Sequence, residues 1–224
     1  MEKAINFDNF RDAPKLDAQA IKAFIRPNPR LEYAISNTEA KGIPPINVGA
    51  LAGQHLAILA QVMGAKSVLE VGTLGGYGSI CFAEAGAKVT SIEIEPKHRD
   101  VALENVKGLD VEVILGSATD VLPKLAQEGR QFDLVYIDAD FVDKYEQFNL
   151  AVKVTRPNGC IFLDDVVASM FGDEAVGEDK EDTILTKIGR DSRVKATLVP
   201  TVHCHPSLPT PVFNGYVFAT VLGL

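Results

Sequence analysis

The hydrophobic positions of this chain change rhythm near residue 66. Before it, two short helical stretches at 17–25 and 30–40 are interrupted by Pro27, Pro29, Pro44 and Pro45. Residues 1–45 read as an N-terminal helical lid or dimer arm, and 46–224 as the main domain. Asn47 is placed to cap a helix running to Met63, with Leu51, Leu56, Leu59 and Val62 as its apolar stripe. From there, β-branched apolar runs at 67–71, 89–92, 111–115, 134–137 and 160–163 alternate with helix-length segments at 79–85, 97–106, 119–128 and 144–155. Strand then helix, repeated, predicts a parallel sheet with helices on both faces. The end of the chain departs from this. Runs at 194–199 and 216–222 are strand-like, but the segment between them is too rich in proline for a helix. Two strands joined without a crossover helix pair antiparallel. The pattern thus predicts an α/β fold, a mostly parallel seven-stranded sheet ending in a C-terminal antiparallel hairpin.

Composition narrows the function classes. The chain has 224 residues, 46% of them hydrophobic and 23% charged, with a net charge of −8. Such a chain buries a real core, and its acidity repels phosphate backbones and anionic lipid, so neither nucleic acid nor membrane is expected as a partner. Cys81, Cys160 and Cys204 have neither metal-finger spacing nor the even count of a secreted disulfide framework. The first fifteen residues are charged and lack an apolar stretch, so the expected compartment is the cytoplasm.

The candidate chemistry lies at the strand ends, where ligands bind in such sheets. The first strand runs into Gly72-x-x-Gly75-Gly76-x-Gly78, with Thr73 inside the loop. This is not the dinucleotide pattern, because Leu74 stands where a second glycine must let the pyrophosphate approach. Glu70 sits within the apolar end of that strand. A carboxylate there is costly without a partner; a ligand with a cationic amino group supplies one, whereas a pyrophosphate is repelled. Glu93, at the tip of the second strand, is placed to accept both hydrogen bonds of a ribose diol. After the third strand, Gly116-Ser117-Ala118 leaves room for an adenine, with Ser117 offering polar contacts.

Strands four and five end in Asp138 and in the pair Asp164-Asp165. Clustered acids repel unless a cation or shared protons relieve them. Three carboxylates suit a hard divalent ion such as Mg²⁺ or Mn²⁺; the alternative is one acid capping a helix and the others solvated.

Together these motifs resemble the cation-dependent small-molecule O-methyltransferases, the caffeoyl-CoA and catechol O-methyltransferase group known as O-methyltransferase family 3. The resemblance spans roughly residues 30–224. Its specific stretches are PPINV at 44–48, GQHL at 53–56, LEVGTLGGYGS, SIEIEP, FDLVYIDAD and the acidic pair after strand five. It implies a Rossmann-like class I methyltransferase fold, a homodimer, S-adenosylmethionine as cofactor, and methyl transfer to a hydroxyl of a small phenolic or catechol-like acceptor. It implies a cofactor site lined by Val48, Glu70, Gly72, Thr73, Gly76, Gly78, Glu93, Ser117, Ala118 and Asp138, and a divalent metal held by Asp138, Asp164 and Asp165.

There are three departures from the family. Gly78 stands where serine is frequent, and Asp165 where asparagine is usual. Phe141 replaces a lysine that lies near the acceptor oxygen in the family. Lys144, three residues on, is either a catalytic partner to Asp138 that reaches round from about one helical turn away or a surface lysine. Segment 166–178, with Met170 and Phe171, is the expected acceptor loop.

Of the histidines, His98 is assigned nothing and His55 is structural. His203 and His205 form a His-x-His without an evident third ligand. Rival readings are a nicotinamide dehydrogenase, which the interrupted glycine pattern and Glu70 oppose, a metal-independent methyltransferase, and a noncatalytic S-adenosylmethionine-binding regulator, which Phe141 supports and the acidic triad opposes.

Overall fold

The computed structural model describes residues 9–139, 142–172, 176–177, 179–204 and 210–223. Strands β1 (Ser67–Val71), β2 (Lys88–Glu93), β3 (Val111–Leu115), β4 (Phe132–Ile137), β5 (Thr155–Leu163), β6 (Val194–His203) and β7 (Val212–Val221) form one sheet in the order β3-β2-β1-β4-β5-β7-β6. The first five strands are parallel, and β7 runs antiparallel to both β5 and β6.

The period-two alternation of the central strands sends successive side chains to opposite faces. Val68, Leu134, Tyr136, Cys160 and Phe162 pack beneath α3 (Ala50–Met63) and α4 (Tyr77–Glu84), against Leu56, Ala60 and Phe82. Leu69, Val71, Val135, Ile137, Ile161 and Leu163 pack on the other side, against Leu122 and Leu125 of α6 (Ala118–Gln127) and Phe148 and Ala151 of α7 (Lys144–Val154). Each large apolar side chain fully buried this way contributes about 1.5–3 kcal/mol. The chain leaves β1 towards β2 on one side, while β4 lies on the other. That reversal opens a crevice at the carboxyl ends of β1 and β4.

The N-terminal segment differs from expectation. Helix α1 (Ala13–Phe24) buries no residue. Helix α2 (Pro29–Ala40), in contrast, packs on the main domain. Pro29 starts this helix, and the Asn28 side chain caps it, accepting from the amides of Arg30 at 3.0 Å and Leu31 at 3.2 Å. Ala34 joins Ile80 and Val106 in a small core. Asn105, on α5 (Pro96–Asn105), donates to Thr38 Oγ1 at 3.2 Å and to the Gly75 carbonyl at 2.8 Å, tying α2 to the glycine-rich loop. An arm with nothing of its own to bury against therefore describes α1 alone.

Three further expectations are corrected. Helix α3 begins at Ala50 with Gly49 at its N-cap, while Asn47 donates to the Val48 carbonyl and caps nothing. Of the proposed stripe only Leu56 is buried; Val62 is 82% exposed, because Gly53 and Ala60 complete the inward face. The expected acceptor loop starts as a short helix, α8 (Val166–Gly172), and a further helix, α9 (Ile184–Gly189), precedes β6.

Candidate active site

A cavity of about 800 Å³ lies at the carboxyl ends of β1, β2 and β4. Val48, Glu70, Gly72, Thr73, Gly78, Glu93, Ser117, Ala118 and Asp138 all line it, as does Asp165. Gly76 is absent from this wall: it turns the chain into α4 at φ 82°, facing Val106 and Ala102. Gly72 combines φ 96° with close approach, since a Cβ there would lie 2.0 Å from the Asp138 carbonyl. The tips of β1 and β4 meet only because that atom is missing.

Glu70 is 1% exposed and held by hydroxyls alone among the described residues. Ser79 Oγ and Ser91 Oγ donate to its Oε2, and Ser91 Oγ also meets Thr73 Oγ1 at 2.6 Å. Burial pushes its carboxyl up to about 7 against the opposing pull of Ser79 and Ser91. The carboxylate expected from the sequence to need a cationic partner thus has none among the described residues, and Glu70 lines the cavity.

Glu93 is also buried, and the protein already uses its carboxylate. Oε2 accepts from the amides of Thr73 at 3.2 Å and Leu74 at 2.7 Å, and Oε1 accepts from Glu95 at 2.9 Å. Glu93 therefore holds the glycine-rich loop in place at the cavity wall. His98 Nδ1 lies 3.7 Å from Glu93 Oε1 and lines the same wall. Ser117 caps α6, its Oγ accepting from the Asp120 amide at 3.1 Å.

At the other end Tyr136 Oη contacts Oδ2 of both Asp138, at 2.9 Å, and Asp164, at 3.0 Å. A phenol has one hydrogen, so both contacts are hydrogen bonds only when one acid keeps its proton. Burial, followed by the charges of Asp164 and Asp165, pushes Asp138 up to about 7. Burial and then Asp165 raise Asp164 as well. Asn214 Nδ2 donates to Asp165 Oδ1 at 2.5 Å. Oxygen donors and mutual repulsion suit a hard cation. As arranged, however, Tyr136 and Asn214 hold the acids, and no group of three or more His, Cys, Asp or Glu among the described residues is set to ligate one. The residues do not fit the expected metal in this arrangement.

Lys144 is neither at the surface nor on the cavity wall. It is 4% exposed, and its Nζ donates to the backbone carbonyls of Asp164 at 2.9 Å and Ala139 at 3.4 Å. Its charge lowers Asp138 and Asp164 against the larger upward push of burial and neighbouring acids. Phe141 and His205 lie outside the described residues. His55 packs edge-on against Phe162, as expected of a structural residue.

Sequence reasoning missed His98, Gln147 and Asn214. Gln147 lines the cavity, and its Oε1 is buried without a partner among the described residues. Its place one turn into the helix after strand four was a usable signal. Asn214 reaches Asp165 across 49 positions of sequence, which no local pattern shows.

Residues 27–203 match the family described as O-methyltransferase. A catechol O-methyltransferase of Mycobacterium tuberculosis is 32% identical over 88% of this chain and 94% of its own length. The solved O-methyltransferase of Bacillus cereus, in complex with SAH, superposes with a TM-score of 0.81 at 30% identity, covering 92% of this chain and 97% of that one. TomG of Streptomyces achromogenes, an O-methyltransferase solved in complex with SAM, superposes at 0.78 with 27% identity, over 98% and 100% of the two chains.

Proposed function

Since the chain belongs to the O-methyltransferase family and is an S-adenosylmethionine-dependent O-methyltransferase of the class I fold, we propose that its acceptor is the hydroxyl of a small phenolic or catechol-like molecule. The observation that carries this reading is one cavity lined at one end by Glu70 and Glu93 and at the other by Asp138 and Asp165.

S-adenosylmethionine supplies the methyl group: its S–CH₃ bond breaks with the electron pair going to sulfur, and an O–CH₃ bond forms. The protein's own residues do the rest. Glu70 offers the cationic amino group a carboxylate with no counter-charge among the described residues, and Glu93 keeps the loop in place for the ribose. Asp138, on the wall of the same cavity, is the group that takes the acceptor's hydroxyl proton. Holding the reactants in line supplies several kcal/mol of the barrier. The base is assigned to Asp138 rather than Lys144, whose ammonium donates to the backbone carbonyls of Asp164 and Ala139 and which does not itself line the cavity. Because Tyr136 and Asn214 already hold the acids, the proton passes to Asp138 without the help of a divalent cation. This favours the metal-independent alternative.

The test is a methyl-transfer screen with phenols, catechols and carboxylic acids, run beside calorimetric titration with S-adenosylmethionine. Methylation of a ring hydroxyl supports the reading; turnover of carboxylic acids alone overturns the acceptor class. Cofactor binding without turnover of any acceptor favours the noncatalytic rival.

The same proposal includes a homodimer formed through α1, which exposes Leu16, Ile21 and Phe24. A dimer mass by light scattering, lost in Leu16→Glu/Phe24→Glu, supports it, and a monomeric wild type overturns it. Among the described residues no helix is long and apolar enough to cross a membrane.

A further inference from the structure

Asp165 precedes α8, the place from which an aspartate ordinarily caps a helix by accepting the amide three residues on. Here it does not. The Ala168 amide donates to Asn214 Oδ1 at 3.2 Å, and Asp165 Oδ1 instead accepts from Asn214 Nδ2 at 2.5 Å. One buried amide on β7 thus does two jobs. Its oxygen takes over the cap, and its nitrogen turns the freed carboxylate. Its orientation follows from chemistry, because the flipped amide would set donor against donor and oxygen against carboxylate. Asp165 itself adopts φ 57°, a left-handed conformation that costs a non-glycine residue energy and is kept only when its surroundings enforce it. Asp165 lines the cavity, and among the described residues its carboxylate takes a hydrogen bond from Asn214 at Oδ1 and none at Oδ2.

We propose that Asn214 is a positioning residue for acceptor binding: by capping α8 in place of Asp165, it frees the Asp165 carboxylate and aims one oxygen at the acceptor hydroxyl. This rests on the reading that the acid-lined end of the cavity receives the acceptor. It also gives a physical reason for an aspartate at position 165, where the resembled family usually has asparagine: the donor this carboxylate needs comes from β7.

The discriminating variant is Asn214→Asp. An aspartate keeps the acceptor for the Ala168 amide but loses the donor to Asp165 and sets two carboxylates against each other. A purely capping role predicts no change. The positioning role predicts that kcat/KM for the acceptor falls by at least about tenfold, the scale of losing a hydrogen bond to a charged group, while calorimetric affinity for S-adenosylmethionine is unchanged. Adding Asp165→Asn restores a donor–acceptor pair with its ends exchanged and should recover acceptor kcat/KM. Asn214→Ala, which introduces no charge, should show the same split between acceptor and cofactor if Asn214→Asp does not fold. Unchanged acceptor kinetics in a folded Asn214→Asp, parallel loss of cofactor affinity, or failure of the double variant to improve on the single one would each overturn the proposal. If the wild type binds S-adenosylmethionine but methylates nothing, the failure lies in the proposed function and not in the role of Asn214.

Discussion

The carboxylate of Glu70 occupies the space that a side chain at position 78 would need: a Cβ on Gly78 would lie 2.2 Å from Glu70 Oε1. Gly78→Ala should destabilise the protein by about 1–3 kcal/mol, the usual range for overpacking, and weaken S-adenosylmethionine binding by displacing Glu70. Adding Glu70→Ala should return part of the stability but none of the affinity. Thermal melts and titration calorimetry read both; a Gly78→Ala protein as stable as wild type would show that Glu70 has another place to go.

Glu70 should also make stability and binding depend on pH in opposite directions. Its folded carboxyl is raised to about 7 by burial, so the folded state keeps a proton that the unfolded chain has released. Stability then falls as pH rises from the ordinary carboxylate range to about 7, by on the order of 3 kcal/mol, and stays lower above it. Asp138 shifts the same way and adds to the slope. A cationic ligand favours ionised Glu70, so S-adenosylmethionine affinity should increase through the same window. Glu70→Gln should be more stable than wild type at pH 8 and should flatten the binding profile. An unchanged profile in that variant would remove Glu70 from cofactor binding.

Glu93 holds three backbone amides as well as facing the cofactor cavity. Glu93→Ala should therefore weaken S-adenosylmethionine binding by at least about 1–3 kcal/mol, the scale of hydrogen bonds to a charged group, and lower the melting temperature of the ligand-free protein. Glu93→Gln, which keeps an acceptor for Thr73 and Leu74, should lose less of both. Equal affinity in folded Glu93→Ala would assign the ribose to another residue, with His98 the first to examine.

The hydrogen bonds of Tyr136 to Asp138 and Asp164 compete with any cation for the same oxygens. Turnover should continue in EDTA once elemental analysis shows the enzyme metal-free. Tyr136→Phe removes the competing hydroxyl and should bind Mn²⁺ more tightly than wild type by calorimetry. Activity abolished by EDTA and restored by Mg²⁺ would mean that the acids rearrange around an ion during the reaction.

The sequence alone determined the sheet. Continuous apolar runs in β1, β4 and β5, helix-length spacing between them and a proline-rich final connection are local properties, and each leaves its mark along the chain. It also determined that Glu70, Glu93, Asp138 and Asp165 would gather at one edge, because parallel strands bring their carboxyl ends together. Only the tertiary structure decided what each group would touch there. Lys144 is buried because α7 lies over the strand tips, although its spacing suits a surface residue equally well. Pro29 begins a helix because Asn28 is free to cap it, and α2 is part of the domain because Asn105 meets it from a distant helix. The acid cluster is held by Tyr136 and Asn214, and the Asn214 contact follows from where β7 inserts between β5 and β6. Periodicity records which face a residue takes; hydrogen-bond partners between distant segments depend on how those faces come together in space, and a single chain's pattern carries no record of that.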